Sequence, residues 1–166
     1  AKLCPIACVS MAGQGQRLTE MFDLAAGGAI GFTDGESSLI NATLSRRAVE
    51  YCQAVGLPIF EFPQERELAG SGVMNEGVVS TKLGLKGIPI AAEEVRVSRG
   101  IAIERQTMAP VHIGPISAAI SVDLIERAKE DGLPVTTSVI ASHLHLIDED
   151  IAVQWSTDLR LEPPLR

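Results

Sequence analysis

The sequence contains no apolar run near the roughly 20 residues that a membrane-spanning helix requires, so we expect no membrane partner. Its opening residues, AKLC, show none of the ordered regions of a secretory signal peptide. It has only 3 cysteines and no C-x-x-C spacing, which favours buried thiols in a reducing compartment over a disulfide framework. We therefore expect a cytoplasmic protein.

Basic residues are also scarce. The chain has 14 lysines and arginines against 21 acidic residues, a net charge of −7 at pH 7, and no basic cluster beyond Arg46-Arg47. Recognition of a polyanion requires a basic patch, so we expect no nucleic-acid partner. The remaining composition, 46% hydrophobic and 21% charged, is typical of a globular protein with one sizeable core.

Several common catalytic and nucleotide-binding signatures are missing. The sequence has neither a G-x-x-x-x-G-K-[ST] phosphate-binding loop nor a G-x-S-x-G nucleophile turn. Gly13-Gln14-Gly15 follows the first predicted strand, but Leu18 stands where a dinucleotide-binding loop would have its third glycine. A nucleotide-binding function is therefore disfavoured.

What is present is an alternation of short Ile- and Val-rich runs with helical patterns, which predicts a parallel α/β sheet. Asn41 and Ser121 are predicted to cap two helices, which end before Gly56 and Gly132, each followed by Leu-Pro. A Gly-rich stretch at 65–89 is predicted to hold a short helix near 76–83, and a longer helix follows over 91–107. The predicted strands are 5–9, 29–33, 58–61, 111–116 and 135–140.

Chain length separates the possible α/β folds. A closed eight-stranded barrel takes about 250 residues, or about 31 for each strand and helix, so this chain holds about five such units. It is either an open doubly wound sheet or an arc of a barrel. Because it does not begin with Met, we expect residues 1–166 to be a single segment of a longer chain.

Few residues are candidates for chemistry. His143 and His145 would point the same way on an extended backbone and could bind one metal, although surface or capping roles are favoured. His112 lies in a predicted strand and is predicted to be a hydrogen-bonded core residue rather than a ligand. Asp34 ends a predicted strand, where a turn or helix-capping role is favoured over a metal or proton-transfer role. The pair Glu93-Glu94 is interpreted as a solvated helix face.

Several strings in order along the chain resemble one family, the dihydroorotases, over nearly the whole length. They are GAIGFTDG at 28–35, LAGSGVMNEG at 68–77, TKLGLKGIP at 81–89, VHI at 111–113, GLPVT at 132–136 and PPLR at 163–166. The resemblance implies an α/β fold that is the central arc, about five βα units, of a (β/α)8 TIM-type amidohydrolase barrel, with the N-terminal and C-terminal barrel strands missing. It implies zinc-dependent, reversible cyclisation of carbamoyl aspartate to dihydroorotate in pyrimidine biosynthesis.

The resemblance also implies site positions, and the chain departs from the family at most of them. The places of two histidine metal ligands hold Phe62 and Pro115, while His112 stands at a non-ligand place. The place of the asparagine that holds the substrate carboxylate is Glu162, which would repel that group. The place of the metal-bridging acid keeps Asp34, with one acidic residue fewer nearby.

Loss of two imidazoles leaves a binuclear zinc centre short of donors. The pattern resembles the non-catalytic dihydroorotase homologues that support assembly of some bacterial aspartate carbamoyltransferases. We therefore expect a pseudoenzyme without a bound cofactor, forming an oligomer with aspartate carbamoyltransferase as its partner. Two alternatives stay open. One is an active cyclic amidohydrolase whose zinc site is completed outside this segment, with Asp34, His112, His143 and His145. The other is a module that binds a small molecule without chemistry.

Overall fold

A computed structural model describes residues 1–36 and 41–166 of the chain. The strands are β1 (Phe32–Thr33), β2 (Ile59–Glu61), β3 (Met74–Asn75), β4 (Gly87–Ile88), β5 (Val111–Ile113) and β6 (Val135–Thr137). The helices are α1 (Met21–Ala26), α2 (Ala42–Val55), α3 (Arg66–Ala69), α4 (Val78–Leu83), α5 (Ala91–Thr107), α6 (Ala119–Glu130) and α7 (Asp148–Gln154). Short 3₁₀-helices lie at Met11–Gly13, Ala141–Leu144 and Thr157–Leu159.

The main sheet has four parallel strands in the order β1-β2-β5-β6, as the alternating pattern predicts. Phe60 of β2 pairs with Thr33 of β1 on one side and with His112 of β5 on the other. The predicted strand at 5–9 is reduced to a single parallel bridge between Ala7 and Phe32. Strands β3 and β4 form a separate parallel pair inside the Gly-rich stretch, where only a helix was predicted.

Helix boundaries test the capping predictions. Asn41 caps α2 through its side-chain oxygen, which accepts from two backbone N–H groups, and Gly56 ends the helix at a φ of 71°. The predicted cap at Ser121 is wrong, because α6 begins two residues earlier and the Ser121 hydroxyl has no partner within the described part of the chain. The backbone N–H groups of Ser117 and Ala118, at the start of α6, instead donate to the carboxylate of Glu93 from α5.

The two faces of the main sheet differ in burial because side chains alternate along a strand. One face packs Ile59, Val111 and Val135 under α2, α5 and α6 in the main hydrophobic core. Helix α5 lies close to this face because Gly100 has no side chain, and an added Cβ would stand 3.1 Å from a methyl group of Ile113. The opposite face carries half-buried Phe60, and half-buried His112 beside it.

The lengths and compositions of the helices also bear on the membrane prediction. None of the helices in residues 1–36 and 41–166 is both long and apolar enough to cross a membrane.

Candidate functional site

The carboxyl ends of the parallel strands meet at one edge of the sheet, and three of the sequence-predicted positions lie there. Asp34 follows β1, Phe62 follows β2, and Pro115 lies two residues beyond β5. The segments after β2 and β5 stay adjacent, because the Gly114 N–H donates to the carbonyl of Glu61 at 3.0 Å. The fold therefore brings together the positions where the family resemblance places metal ligands.

Asp34 is engaged in holding a loop. Its carboxylate accepts a hydrogen bond from the Ser10 N–H at 2.8 Å and another from the Ser10 hydroxyl. The same hydroxyl accepts from the Gly15 N–H at 2.7 Å, and Ser10 is fully buried. Asp34 thus orders the turn over 10–15, in line with the turn role favoured from the sequence. It caps no helix, since Asn41 caps α2.

Phe62 and Pro115 cannot replace the imidazoles. A benzene ring has no lone pair, and the proline nitrogen belongs to a peptide bond, so neither side chain can coordinate zinc. Phe62 and Asp34 line a cavity of about 10 Å³, which is room for about one water molecule. Across residues 1–36 and 41–166, no group of three or more His, Cys, Asp or Glu side chains is placed to hold a metal ion. The residues present do not fit the zinc centre that the resemblance implies.

His112 lies on the half-buried face, one residue before the end of β5. Its Nδ1 lies 2.9 Å from the Thr136 hydroxyl and its Nε2 lies 3.1 Å from the Ser138 hydroxyl, so both ring nitrogens are hydrogen-bonded. Burial lowers the pKa of His112 below its usual value of 6.5. Its ring also stands 5.5 Å from that of Phe60. The hydrogen bonds agree with the prediction for His112, but its place in the core was wrong, because it is half-buried on the face opposite the main hydrophobic core.

His143 and His145 are not arranged as the metal-binding hypothesis assumed. That hypothesis required an extended backbone, but Ala141–Leu144 is a 3₁₀-helix, in which residues two apart point in different directions. Nε2 of His143 donates to the carbonyl oxygens of Pro163 at 3.0 Å and Pro164 at 3.2 Å. His145 is exposed. The structural premise of the pair is therefore wrong, and His143 instead braces the C-terminal residues.

The C-terminal residues form a polar network that does not include Glu162, whose side chain is exposed. Arg166 donates from Nε to the Ser117 hydroxyl at 2.8 Å and from Nη1 to the Asn75 side-chain oxygen at 2.7 Å. Asn75 in turn donates to Asp148 at 3.0 Å. Burial lowers the pKa of Arg166, while the nearby carboxylates oppose that shift. The network joins β3, α7 and the loop before α6.

Glu93 is the centre of the second part of this network. Its carboxylate accepts from the Ser117 N–H at 3.0 and 3.1 Å, from the Ser117 hydroxyl at 2.7 Å and from the Ala118 N–H at 2.9 Å. The Arg166 guanidinium lies 3.8 Å away. A carboxylate at this position complements the positive end of the α6 dipole. Glu93 therefore fixes the start of α6 and the loop that carries Pro115.

A second buried polar cluster lies between the sheet and its helices. Glu61 accepts from the Ser45 hydroxyl at 3.2 Å and pairs with Arg96 at 3.2 Å. Burial, together with the charge of Glu61, raises the pKa of the Cys52 thiol to about 12. The same two causes raise the pKa of Glu104 to about 7. Glu61 and Arg96 line the same small cavity as Asp34 and Phe62, so this cluster reaches the sheet edge from the helix side.

Sequence reasoning missed Glu93, Arg96 and Glu104, which are 2%, 1% and 0% exposed. The pair containing Glu93 was interpreted as solvated, which is wrong for Glu93 because the start of α6 surrounds it. The spacing of these residues along α5 could have predicted their burial. Residues 93, 96, 100 and 104 are three or four apart and so share one helix face. Gly100 on that face marks the close approach to the sheet.

Comparison with known proteins places this geometry in context. No family model matches the chain. It is 41% identical, over its whole length, to a dihydroorotase of Anaeromyxobacter dehalogenans, and 41% identical over 98% of its length to one of Pelotomaculum thermopropionicum. The chain is a homologue of the dihydroorotases. It spans 39% and 38% of the length of these two curated relatives.

The fold of the chain also matches solved structures. The chain superimposes on an L-hydantoinase (dihydropyrimidinase) from Arthrobacter aurescens with a TM-score of 0.71 at 16% identity, covering 89% of this chain and 35% of the hydantoinase. A D-hydantoinase from Thermus sp. gives a TM-score of 0.71 at 16% identity, covering 97% and 36%. The chain therefore has the fold of part of these structures, consistent with the partial α/β barrel that the sequence predicts.

Proposed function

We propose that this chain is a segment of a dihydroorotase-like protein of pyrimidine biosynthesis that lacks a working zinc centre and serves as a non-catalytic scaffold. The observation that carries the proposal is the pair Phe62 and Pro115, which lie on adjacent segments at the carboxyl edge of the sheet. Active sites of parallel α/β barrels are built at this edge. At two of the positions where the resemblance places ligands, the side chains here have no donor atoms.

The neighbouring groups support the same conclusion. Asp34 gives both of its oxygens to Ser10, and His112 is bonded at both ring nitrogens by Thr136 and Ser138. A catalytic zinc site needs three protein ligands and an open position for water. Recruiting these two side chains as ligands would break hydrogen bonds that order the fold.

The scaffold would act by supporting assembly of an aspartate carbamoyltransferase. This partner is suggested by the resemblance to non-catalytic homologues. One surface feature is consistent with a protein partner on the helical side of the sheet. Phe22 of α1 and Tyr51 of α2 form an exposed edge-to-face pair with ring centroids 5.9 Å apart. Aromatic side chains are enriched where proteins bind one another.

A second candidate is an active cyclic amidohydrolase whose zinc site is completed by parts of the protein beyond this segment. The identity of 41% to proteins named dihydroorotase favours it. Asp34 stays at the sheet edge as a carboxylate that such a site would use. Under this hypothesis the metal would have to be held without donors at positions 62 and 115.

Two measurements on the full-length protein separate these functions. Turnover of dihydroorotate and the zinc content of the purified protein are measured together, with an active dihydroorotase as the positive control. We expect no turnover and less than stoichiometric zinc. Stoichiometric zinc with turnover would refute the scaffold and support the second candidate.

The partner is tested separately. Aspartate carbamoyltransferase from the same source is purified with and without the full-length protein, and its subunit assembly and activity are compared. We expect the two proteins to co-purify and the transcarbamoylase activity to rise. Separate elution with unchanged activity would refute the assembly role, whatever the metal content.

A further inference from the structure

The interface between α2, β2 and α5 buries ionisable side chains that the proposed function does not use. Glu61 on β2 and Arg96 on α5 form an ion pair at 3.2 Å, and both are almost fully buried. The Ser45 hydroxyl on α2 donates to the other oxygen of Glu61 at 3.2 Å. Glu104, two helical turns beyond Arg96, is 0% exposed. The cluster therefore spans a helix–sheet interface that is otherwise apolar.

The charges in this cluster do not balance. It contains one arginine and two carboxylic acids, and Arg96 is paired with Glu61. Neither carboxylate oxygen of Glu104 has a hydrogen-bond partner within residues 1–36 and 41–166. A buried carboxylate without a partner is strongly destabilising, and such a group commonly becomes neutral instead. The excess negative charge would be removed by one proton.

The other ionisable groups that the structure describes around the interface stay neutral, face solvent or already have a charged partner. Cys52 on α2 has a pKa of about 12, so its thiol stays neutral at ordinary pH. The ionisable residues of α3 and α6 are exposed, and His112 of β5 points to the opposite face of the sheet. Arg99 on α5 pairs with Glu65 at 2.9 Å. Residues 37–40, which lie outside the described part, have no ionisable side chain.

We propose that this interface is a proton-binding site, in which Glu104 carries the proton in the folded protein and its release loosens α5 from β2 and α2. The proposal is independent of the proposed function. Burial, and secondarily the charge of Glu61, raises the pKa of Glu104 from 4.5 to about 7. The folded protein therefore binds this proton more tightly than the unfolded chain does.

The direction in which pH changes the stability follows from this difference in proton affinity between the folded and unfolded protein. The stabilisation by the proton is fully present below pH 4.5, the ordinary value, and is lost as the pH rises through about 7. Between pH 5.5 and 8, a single group with these two pKa values changes the folding equilibrium by roughly 30-fold. The packing of α5 against β2 and α2 would thus be most stable below neutral pH.

The first test is urea unfolding of the full-length protein at pH 5.5 and pH 8, with Glu104→Gln as the neutral, isosteric variant. We expect the ratio of folding constants, wild type to Glu104→Gln, to fall by about 30-fold between the two pH values. Glu126 is exposed on α6, so Glu126→Gln is the matched control and should follow the wild type within about 2-fold. A ratio that does not change with pH would overturn the proposal.

The second test does not depend on the folding of a variant. Infrared spectra of the wild-type protein with isotopically labelled glutamate are recorded from pH 6.5, where exposed glutamates are ionised, to pH 9, and amide hydrogen exchange is measured alongside. We expect the absorption of a protonated carboxyl group at pH 6.5 that disappears as the pH rises past about 7, together with falling amide protection factors in α5. Absence of a protonated carboxyl at pH 6.5 would refute the proton site. Unchanged protection of α5 while the proton leaves would refute the loosening.

Discussion

Replacement of Glu93 tests the assignment of α6 capping most sharply. Its carboxylate accepts from two backbone N–H groups and one hydroxyl, at distances of 2.7 to 3.1 Å, and it is 2% exposed. Glu93→Ala would remove the acceptor of the two N–H groups that precede α6 and of the Ser117 hydroxyl, and would leave these donors unpaired at about 1–3 kcal/mol each. It would also leave Arg166 without its nearest carboxylate.

We therefore expect Glu93→Ala to lower the free energy of unfolding by about 3 to 5 kcal/mol, which is the usual cost of removing one partner from a buried charged pair. Glu93→Gln keeps one acceptor oxygen, so its cost should be about half as large. The assay is urea denaturation of the full-length protein, followed by circular dichroism and by tryptophan fluorescence.

Ser121→Ala is the matched control, because the sequence predicts that Ser121 caps the same helix. Its hydroxyl is buried without a partner in the described part of the chain, so its removal should change the stability by no more than about 0.5 kcal/mol. A cost below about 1 kcal/mol for Glu93→Ala, or a cost for Ser121→Ala equal to it, would refute the assignment of Glu93 as the cap.

Two further predictions concern the thiols and the metal ligands. The predicted burial of the thiols is wrong for Cys4 and Cys8, which are exposed, and holds for Cys52, which is buried with a pKa of about 12. Cys4 and Cys8 should therefore react rapidly with a thiol reagent, and Cys52 only after unfolding. Rapid reaction of three thiols in the folded protein would contradict this packing. The double variant Phe62→His with Pro115→His should gain zinc binding by the full-length protein only if histidines elsewhere complete the site, while each single variant should gain none. Zinc binding by a single variant would show that the assigned ligand positions are wrong.

The architecture was largely accessible from the sequence because local signals and the fold agree. The α5 boundaries, Ala91–Thr107, were predicted, as were the Asn41 cap and the Gly56 exit. The parallel sheet followed from the alternation of apolar runs with helices. These features depend on residues close together in the chain, and no tertiary contact overrides them.

The prediction failed where a distant residue takes over a local role. Ser121 has the right type for a helix cap, but α6 already begins at Ala119, and Glu93 of another helix, 24 residues away from Ser117, bonds the N–H groups of the two residues before it. The strand at 135–140 was predicted too long, since it gives way to a loop before the 3₁₀-helix that carries His143. The contacts of Arg166 with Ser117 and Asn75 likewise join residues that are far apart in the sequence, and a local sequence pattern does not predict such contacts.

The most direct test of the proposed loss of the zinc centre is diffraction at the zinc absorption edge from crystals of the full-length protein grown with excess zinc. We predict no anomalous peak within bonding distance of the sheet edge formed by Asp34, Phe62 and Pro115. A peak of full occupancy at that edge, coordinated by Asp34, would contradict the conclusion that the scaffold has lost its metal.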